Sequence, residues 1–162
     1  MRIAIANDHA GFPLRAHVAS VVTDLGHDLL DVGTPDDTPV DFPVISRRVT
    51  DLVRSGDADR GLLVCGTGVG AAIAANKVSG IRAAVIHDSF SARQCVEHDD
   101  VNVACVGAWI VGPRVATDTV TTYLGARFST DPDFRRRVAQ LAEMDGSAVP
   151  SPEPAGGATT GR

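Results

Sequence analysis

The chain has 162 residues, which is enough for one domain of ordinary size and too few for two. Hydrophobic residues (44%) and charged residues (22%) occur in the proportions of a folded globular protein, which excludes a chain that is disordered throughout. The net charge of −5 disfavours broad nucleic-acid binding, and no apolar run is long enough to cross a membrane.

Short apolar runs alternate with amphipathic stretches along most of the chain. The apolar runs predict five buried strands, at 1–6, 28–32, 61–65, 82–87 and 101–106. Apolar residues at helical spacing predict six helices, at 12–25, 43–55, 70–78, 89–98, 111–124 and 133–144. This alternation predicts an α/β fold with a five-stranded, doubly wound parallel sheet.

The end of the chain has a different composition. Residues 146–162 are rich in proline and glycine and contain no large apolar side chain except Val149. Such a segment buries too little apolar surface to offset the entropy of ordering. We therefore predict a folded domain at 1–145 and a disordered tail at 146–162.

Three cysteines at irregular spacing predict neither a disulfide framework nor a zinc site. The first residues carry no sustained apolar segment of the kind found in a signal peptide. A cytoplasmic protein is the simplest interpretation.

Polar residues directly follow four of the predicted strands, and in parallel α/β sheets ligands bind beyond the carboxyl ends of the strands. After the third strand the sequence reads Cys65-Gly66-Thr67-Gly68-Val69-Gly70. Alternate glycines let the backbone approach a ligand closely. The amide groups of this loop and of the next helix therefore predict an anion or oxyanion site. A plain tight turn is the alternative.

Cys65 begins this loop. At a helix N-terminus a thiol is expected to have a lowered pKa and to act as a nucleophile or a base, whereas a buried core cysteine is the alternative. Asp8 and His9 follow the first strand, where they are suited to acid–base work or to holding an anion. The alternative interpretation of this pair is structural, as an Asx-turn before the next helix.

His98 and Asp99 close the fourth predicted helix, either as part of a site or as a solvated turn. His87, at the end of the fourth strand, is a further candidate for lining the site. The aspartates and histidines match no compact ligand spacing, so we predict no metal. On the last helix the arginine run 135–137 either supplies one arginine to an anionic ligand or forms a solvated face.

Several segments together resemble one known family. They are Asn7-Asp8-His9-Ala10-Gly11-Phe12, Asp41-Phe42-Pro43, the segment from Cys65 to Ala83, and His98 followed by Asn102-Val103. Over residues 1 to about 144 the chain is similar to the type B ribose-5-phosphate isomerases, within a wider group that includes galactose-6-phosphate isomerases. The resemblance implies a Rossmann-like three-layer αβα sandwich. It also implies that an aldose and a ketose are interconverted through a cis-enediolate, with no metal and no organic cofactor.

The resemblance also implies roles for single residues. Cys65 would abstract the proton alpha to the carbonyl, while Thr67 and the loop amides would stabilise the enediolate oxygens. His98 would open the sugar ring with help from Asp8, and His9 would hold the phosphate. The loop residues expected at the substrate are Gly66, Gly68, Val69 and Gly70. The family works as a homodimer or tetramer, and each site takes its His98 block from the neighbouring subunit.

Three positions depart from the family pattern, and all three concern the substrate. Asp99 stands where the family has asparagine, and Trp109 stands where it has an arginine after the fifth strand. Asp133 replaces the first of two arginines on the last helix, of which Arg137 is retained. An ionised carboxylate accepts hydrogen bonds but cannot donate them to phosphate, and it repels that group.

We therefore predict an aldose–ketose isomerase acting on ribose 5-phosphate and ribulose 5-phosphate, with Asp99, Trp109 and Arg137 among the substrate-binding residues. One alternative is an isomerase of another sugar phosphate, such as a tetrose or hexose phosphate, or of an unphosphorylated sugar or sugar acid. Trp109 favours the unphosphorylated compounds, because tryptophan faces pack against sugar rings. A sugar-phosphate-binding module without catalysis is a further alternative.

Overall fold

The computed structural model describes residues 1–146, so the predicted tail lies, except for Gly146, outside the described residues. Within this range strands and helices alternate from the beginning to the end of β5, and two helices follow. The strands are β1 (Arg2–Asn7), β2 (Asp28–Asp31), β3 (Arg60–Cys65), β4 (Ala83–Val85) and β5 (Val103–Gly107). The helices are α1 (Phe12–Asp24), α2 (Phe42–Ser55), α3 (Val69–Ala75), α4 (Ser89–Asp99), α5 (Pro113–Gly125) and α6 (Pro132–Asp145).

All neighbouring strands are parallel, and their order across the sheet is β2-β1-β3-β5-β4. The three central strands are the ones that read as continuous apolar runs, because helices cover both of their faces. The structure thus confirms the predicted fold, a Rossmann-like αβα sandwich around a five-stranded parallel sheet.

Side chains that alternate along each strand divide the core into two layers. On one face Ile3 and Ile5 pack under α1, α4 and α5. On the other face Ala4 and Ala6 pack under α2 and α3. The last helix, α6, packs against α4. None of the helices within residues 1–146 is long and apolar enough to span a membrane.

The edge strand β4 is shorter than predicted, with three residues in place of six. At its beginning the amide of Arg82 donates to the side chain of Asn102 (2.9 Å). Beyond its end His87 turns towards β5, where its Nε2 accepts a hydrogen bond from the Gly107 amide (3.0 Å). These side-chain contacts add to backbone hydrogen bonds that continue beyond both ends of the strand, from Asn102 to Arg82 and from Ile86 to Cys105.

Candidate active site

The carboxyl ends of β1 and β3 bring Asp8 next to Cys65. The amide of Asp8 donates to the carbonyl of Val64 (3.2 Å), and the Gly11 amide donates to the Asp8 carboxylate (2.9 Å). A Cβ atom at Gly11 would lie 1.9 Å from the Val64 carbonyl oxygen, so only glycine lets the two chain segments approach so closely. Asp8 and Cys65 are both buried, at 5% and 9% exposure.

The thiol of Cys65 lies close enough to the Asp8 carboxylate to interact with it. Burial raises the pKa of this thiol, and the Asp8 carboxylate raises it further. The backbone amides of Gly68 and Thr67 oppose this effect in part, because they direct hydrogen bonds at the sulfur. The expectation of a lowered thiol pKa is therefore wrong. The reason is that removal from water outweighs the favourable field of a helix of only seven residues.

The loop at 66–70 turns sharply from β3 into α3. Gly68 adopts a left-handed conformation (φ 78°) at the N-cap of α3, which favours glycine at this position. The Thr67 hydroxyl accepts a weak hydrogen bond from the Val69 amide (3.4 Å). The loop amides at Thr67 and Gly68 thus lie around the Cys65 sulfur, as the prediction of an oxyanion site requires.

Two aromatic rings lie against this loop. A Cβ atom at Gly66 would approach the Trp109 ring to 2.8 Å, and one at Gly70 would approach the Phe42 ring to 3.2 Å. The Trp109 amide also donates to the Gly66 carbonyl (2.9 Å). Because 72% of Trp109 is exposed, most of its ring remains free to contact a ligand beside the loop.

His9 follows Asp8 and faces the segment before α2. Its Nδ1 accepts a hydrogen bond from the Val40 amide (3.3 Å), which leaves Nε2 available as a donor. His9 borders a cavity of about 470 Å³ that Asp41 and Arg48 also line. The predicted anion-holding residue is therefore exposed and beside an arginine.

The remaining predicted residues lie at the opposite end of the sheet. α4 runs back from the carboxyl end of β4, and soon after it Asn102 accepts a hydrogen bond from the amide of Gly61 at the start of β3 (2.8 Å). His98 on the last turn of α4 is therefore separated from Cys65 by the length of β3, about 17 Å at the usual rise per residue. We call His98, Asp99, Phe134 and Arg137 the amino-end cluster.

Stacking organises the amino-end cluster. The His98 ring lies flat on Phe134 of α6, with ring centroids 3.9 Å apart and planes inclined by 14°. The Nδ1 atom of His98 is 3.2 Å from Nε2 of Gln94. The Arg137 guanidinium also lies over the Phe134 ring, 5.6 Å from the ring centroid. The imidazole is thus held in one orientation, and its Nε2 has no hydrogen-bond partner within residues 1–146.

Two acidic residues lie in or next to the amino-end cluster, namely Asp99 and Asp133. Asp133 accepts a hydrogen bond from Arg136 (2.5 Å) and lies 4.0 Å from Arg137. Asp99 is exposed at the end of α4 and borders a cavity of about 460 Å³. Within residues 1–146, no three side chains of histidine, cysteine or acidic type are grouped so that they could hold a metal ion.

Comparison with known proteins now decides the family. A family model described as Ribose/Galactose Isomerase matches residues 3–141. The chain belongs to this family. It is therefore an enzyme of the aldose–ketose isomerase class, and it is related to the type B ribose-5-phosphate isomerases.

Similar proteins support this assignment along nearly the whole chain. The solved structure of Clostridium thermocellum ribose-5-phosphate isomerase B is 40% identical, with a TM-score of 0.87, and the match covers 90% of this chain and 98% of that one. Ribose-5-phosphate isomerase B of Escherichia coli is 39% identical over 127 residues, which are 78% of this chain and 85% of that protein. D-erythrulose-4-phosphate isomerase 2 of Mycolicibacterium smegmatis is 36% identical over 157 residues, which are 91% and 99% of the two chains.

In this isomerase the structure also shows residues that sequence reasoning missed or ranked low. Phe134 supports His98 by stacking, and no local pattern points to it. His87 lies beside the loop, because a Cβ atom at Gly107 would meet both its Nε2 and the Thr67 carbonyl at 2.8 Å. Burial lowers the pKa of His87. Its position in a His-Asp pair at a strand end was the available signal.

Proposed function

We propose that this isomerase interconverts ribose 5-phosphate and ribulose 5-phosphate through a cis-enediolate, with Cys65 as the base. The observation that carries the proposal is the Cys65 thiol held at the end of β3 between the Asp8 carboxylate and the amides of Thr67 and Gly68. Enediolate chemistry needs a base that takes a proton from one carbon and returns it to the next. It also needs hydrogen-bond donors near that base to stabilise the negative charge on oxygen. No cofactor takes part in the proposed reaction.

The proposed proton transfers balance within the site. The Cys65 thiolate removes the proton from C2 of the open-chain aldose, and the electron pair moves into the C1–C2 bond as the carbonyl oxygen becomes an enediolate oxygen. The Thr67 hydroxyl and the amides of the 66–70 loop stabilise the negative charge on that oxygen. The proton of the C2 hydroxyl passes to the C1 oxygen of the enediolate. The thiol then returns its proton to C1 and the carbonyl forms at C2, which regenerates the thiolate.

The raised pKa of Cys65 bears on this step. The resting enzyme holds the proton on the sulfur, and the fraction of thiolate grows as the pH rises. A thiolate of higher pKa is also the stronger base towards a carbon acid. We propose that Asp8 first assists His98 in opening the sugar ring and then takes the thiol proton, so that Cys65 is a thiolate when it meets the open-chain aldose.

A shared active site between two copies is part of the proposal. Ring opening by His98 and proton abstraction by Cys65 act on one sugar, yet the two residues lie at opposite ends of β3 in one chain. A second copy that brings its amino-end cluster to the 66–70 loop of the first resolves this separation. Two-fold symmetry then builds two equal sites. A homodimer, or a tetramer made from such dimers, satisfies this geometry.

A four-carbon sugar phosphate is the second candidate substrate. The exposed Trp109 ring lies beside Gly66, at the position where the family resemblance puts an arginine. The Asp133 carboxylate forms ion pairs with Arg136 and Arg137 and so competes with a phosphate for them. Both features weaken the binding of a distant phosphate. The relative named for D-erythrulose 4-phosphate supports a shorter sugar. We expect the reaction to take place in the cytoplasm.

Isotope exchange tests the function directly. The enzyme is incubated in deuterated water with ribose 5-phosphate, erythrose 4-phosphate or free ribose, and deuterium on the carbons next to the carbonyl is measured by NMR. We expect rapid exchange for one phosphorylated sugar. Cys65→Ala should abolish this exchange, while Cys105→Ala, a buried cysteine of β5, should keep it. Exchange that survives in Cys65→Ala refutes the assigned base, and no exchange with any sugar refutes the proposed reaction.

A further inference from the structure

A third cavity opens at the amino ends of β1 and β3, at the opposite end of the sheet from Cys65. Its volume is about 760 Å³, which lies within the range of roughly 300–1,000 Å³ typical of small-molecule sites. Three arginines and a histidine line it, namely Arg60, Arg127, Arg135 and His27. We call this cavity the arginine cleft. It stands out because the chain as a whole carries a net charge of −5.

Arg60 is fixed in the wall of the arginine cleft. Its guanidinium donates to the carbonyls of Tyr123 and Ala126 at the end of α5 and lies 5.2 Å from the Tyr123 ring centroid. These contacts satisfy carbonyls that the helix end leaves without partners. They do not neutralise the charge of the guanidinium, which remains at the cleft.

The other two arginines are held less firmly than Arg60, although the charge of Asp100 acts on Arg135 through space. Neither the Arg127 nor the Arg135 side chain forms a hydrogen bond or an ion pair with residues 1–146, and Arg127 is exposed. Arg135 lies over the Phe128 ring, 4.9 Å from its centroid, which orients the guanidinium without matching its charge. Their hydrogen-bond donors are therefore available to a ligand.

One carboxylate, Asp100, also borders the arginine cleft. It pairs with Arg82 at 2.7 Å, and Arg82 further donates to the Asp100 carbonyl at 2.7 Å. Arg82 is not among the residues of the cleft wall. The charge of Asp100 is therefore shared among Arg82, Arg60 and Arg135. Three arginines against one carboxylate that already pairs with Arg82 still leave the cleft with excess positive charge.

We propose that the arginine cleft binds a small molecule that carries two or more phosphate groups. Arg127 and Arg135 can each bind one phosphate through two parallel hydrogen bonds. Arg60, whose terminal nitrogens already donate to Tyr123 and Ala126, adds its positive charge. The cleft is separate from the amino-end cluster, because on α6 Phe134 faces His98 whereas Arg135 faces Phe128. The ligand is therefore additional to the sugar that Cys65 isomerises.

Calorimetric titration of the full chain with inorganic pyrophosphate tests this site. We compare the wild type with R127A/R135A and with R47A/R54A, a control that removes two exposed arginines of α2. We expect R127A/R135A to weaken pyrophosphate binding at least about tenfold, and R47A/R54A to bind like the wild type. Equal binding by both double variants, or no binding to the wild type, overturns the proposal.

Folding is checked by thermal melting of each variant. Should R127A/R135A melt early, the single variant Arg127→Gln serves instead, since the Arg127 side chain makes no bond within residues 1–146. It should still weaken binding several-fold. Isomerase turnover of R127A/R135A is measured as well, and it should match that of the wild type, which separates this site from the substrate site.

Discussion

The Cys65 thiol interacts with the Asp8 carboxylate, and both groups are buried where β1 and β3 end. Burial and the neighbouring negative charge both disfavour the thiolate and therefore raise the pKa of Cys65. In the proposed mechanism the same carboxylate accepts the thiol proton when the base must act.

The pH dependence of turnover should report this contact. Since the proposed base is the thiolate, kcat/KM should rise with pH through the raised pKa of Cys65 and level off above it. Asp8→Asn removes the negative charge and keeps an oxygen for the Gly11 amide. The rising limb should then move to lower pH. Asp51→Asn, at an exposed carboxylate of α2, is the control and should leave the profile in place. An unchanged profile in Asp8→Asn would show that Asp8 does not set this pKa.

The stack of His98 on Phe134 should matter for ring opening. Phe134→Leu keeps apolar bulk but removes the aromatic face, which is worth roughly 0.5–1.5 kcal/mol beyond area burial, or about two- to tenfold in kcat. Phe134→Tyr retains the ring and should restore kcat. KM should change little in either variant. Supplying the sugar in its open-chain form should rescue Phe134→Leu, whereas a general folding defect would not respond.

The departures at Trp109 and Asp133 predict a gain of function. W109R/D133R introduces two guanidinium groups and releases Arg136 and Arg137 from Asp133. Each new charge-assisted hydrogen bond to phosphate is worth roughly 1.5–3 kcal/mol, so KM for ribose 5-phosphate should fall by about tenfold or more. Free ribose, which has no phosphate, provides the control. An equal change for both sugars would mean that these positions do not face the phosphate.

The close approach of Gly11 to β3 predicts a large effect on stability. Gly11→Ala places a methyl group 1.9 Å from the Val64 carbonyl oxygen, a clash with backbone that cannot move aside without disturbing β3. We expect the free energy of unfolding in urea to fall by roughly 1–3 kcal/mol or more. Gly112→Ala is the matched control, since nothing lies within 4 Å of its added Cβ atom. Equal stability of the two variants would contradict the observed packing.

The fold was predictable from the sequence because apolar periodicity marks every element and agrees with burial in the three central strands. All five strands and six helices overlap their predicted ranges, although some ends shift: β4 is shorter than predicted, and α3 ends at Ala75. The strand order was not predictable in this way. It depends on which faces pack against one another, and local pattern does not carry that information.

The site was predictable in its residue types but not in its contacts. The glycine loop and Asp8 are visible as strand-end motifs, since glycine marks close backbone approaches such as those at Gly11 and Gly66. The raised pKa of Cys65 depends on burial, and the His98–Phe134 stack joins helices that are distant in sequence. The arginine cleft was invisible for the same reason, because Arg60, Arg127 and Arg135 come from three separate segments.

Complementation between two inactive variants tests most directly whether Cys65 and His98 act together across two copies. Cys65→Ala and His98→Ala are purified separately, then mixed under conditions that exchange subunits, and turnover of ribose 5-phosphate is followed. If each site takes Cys65 from one copy and His98 from the other, half of the random dimers contain one intact site. Turnover should then recover to roughly one quarter of the wild-type value. No recovery, despite subunit exchange verified by native mass spectrometry, would contradict the shared site.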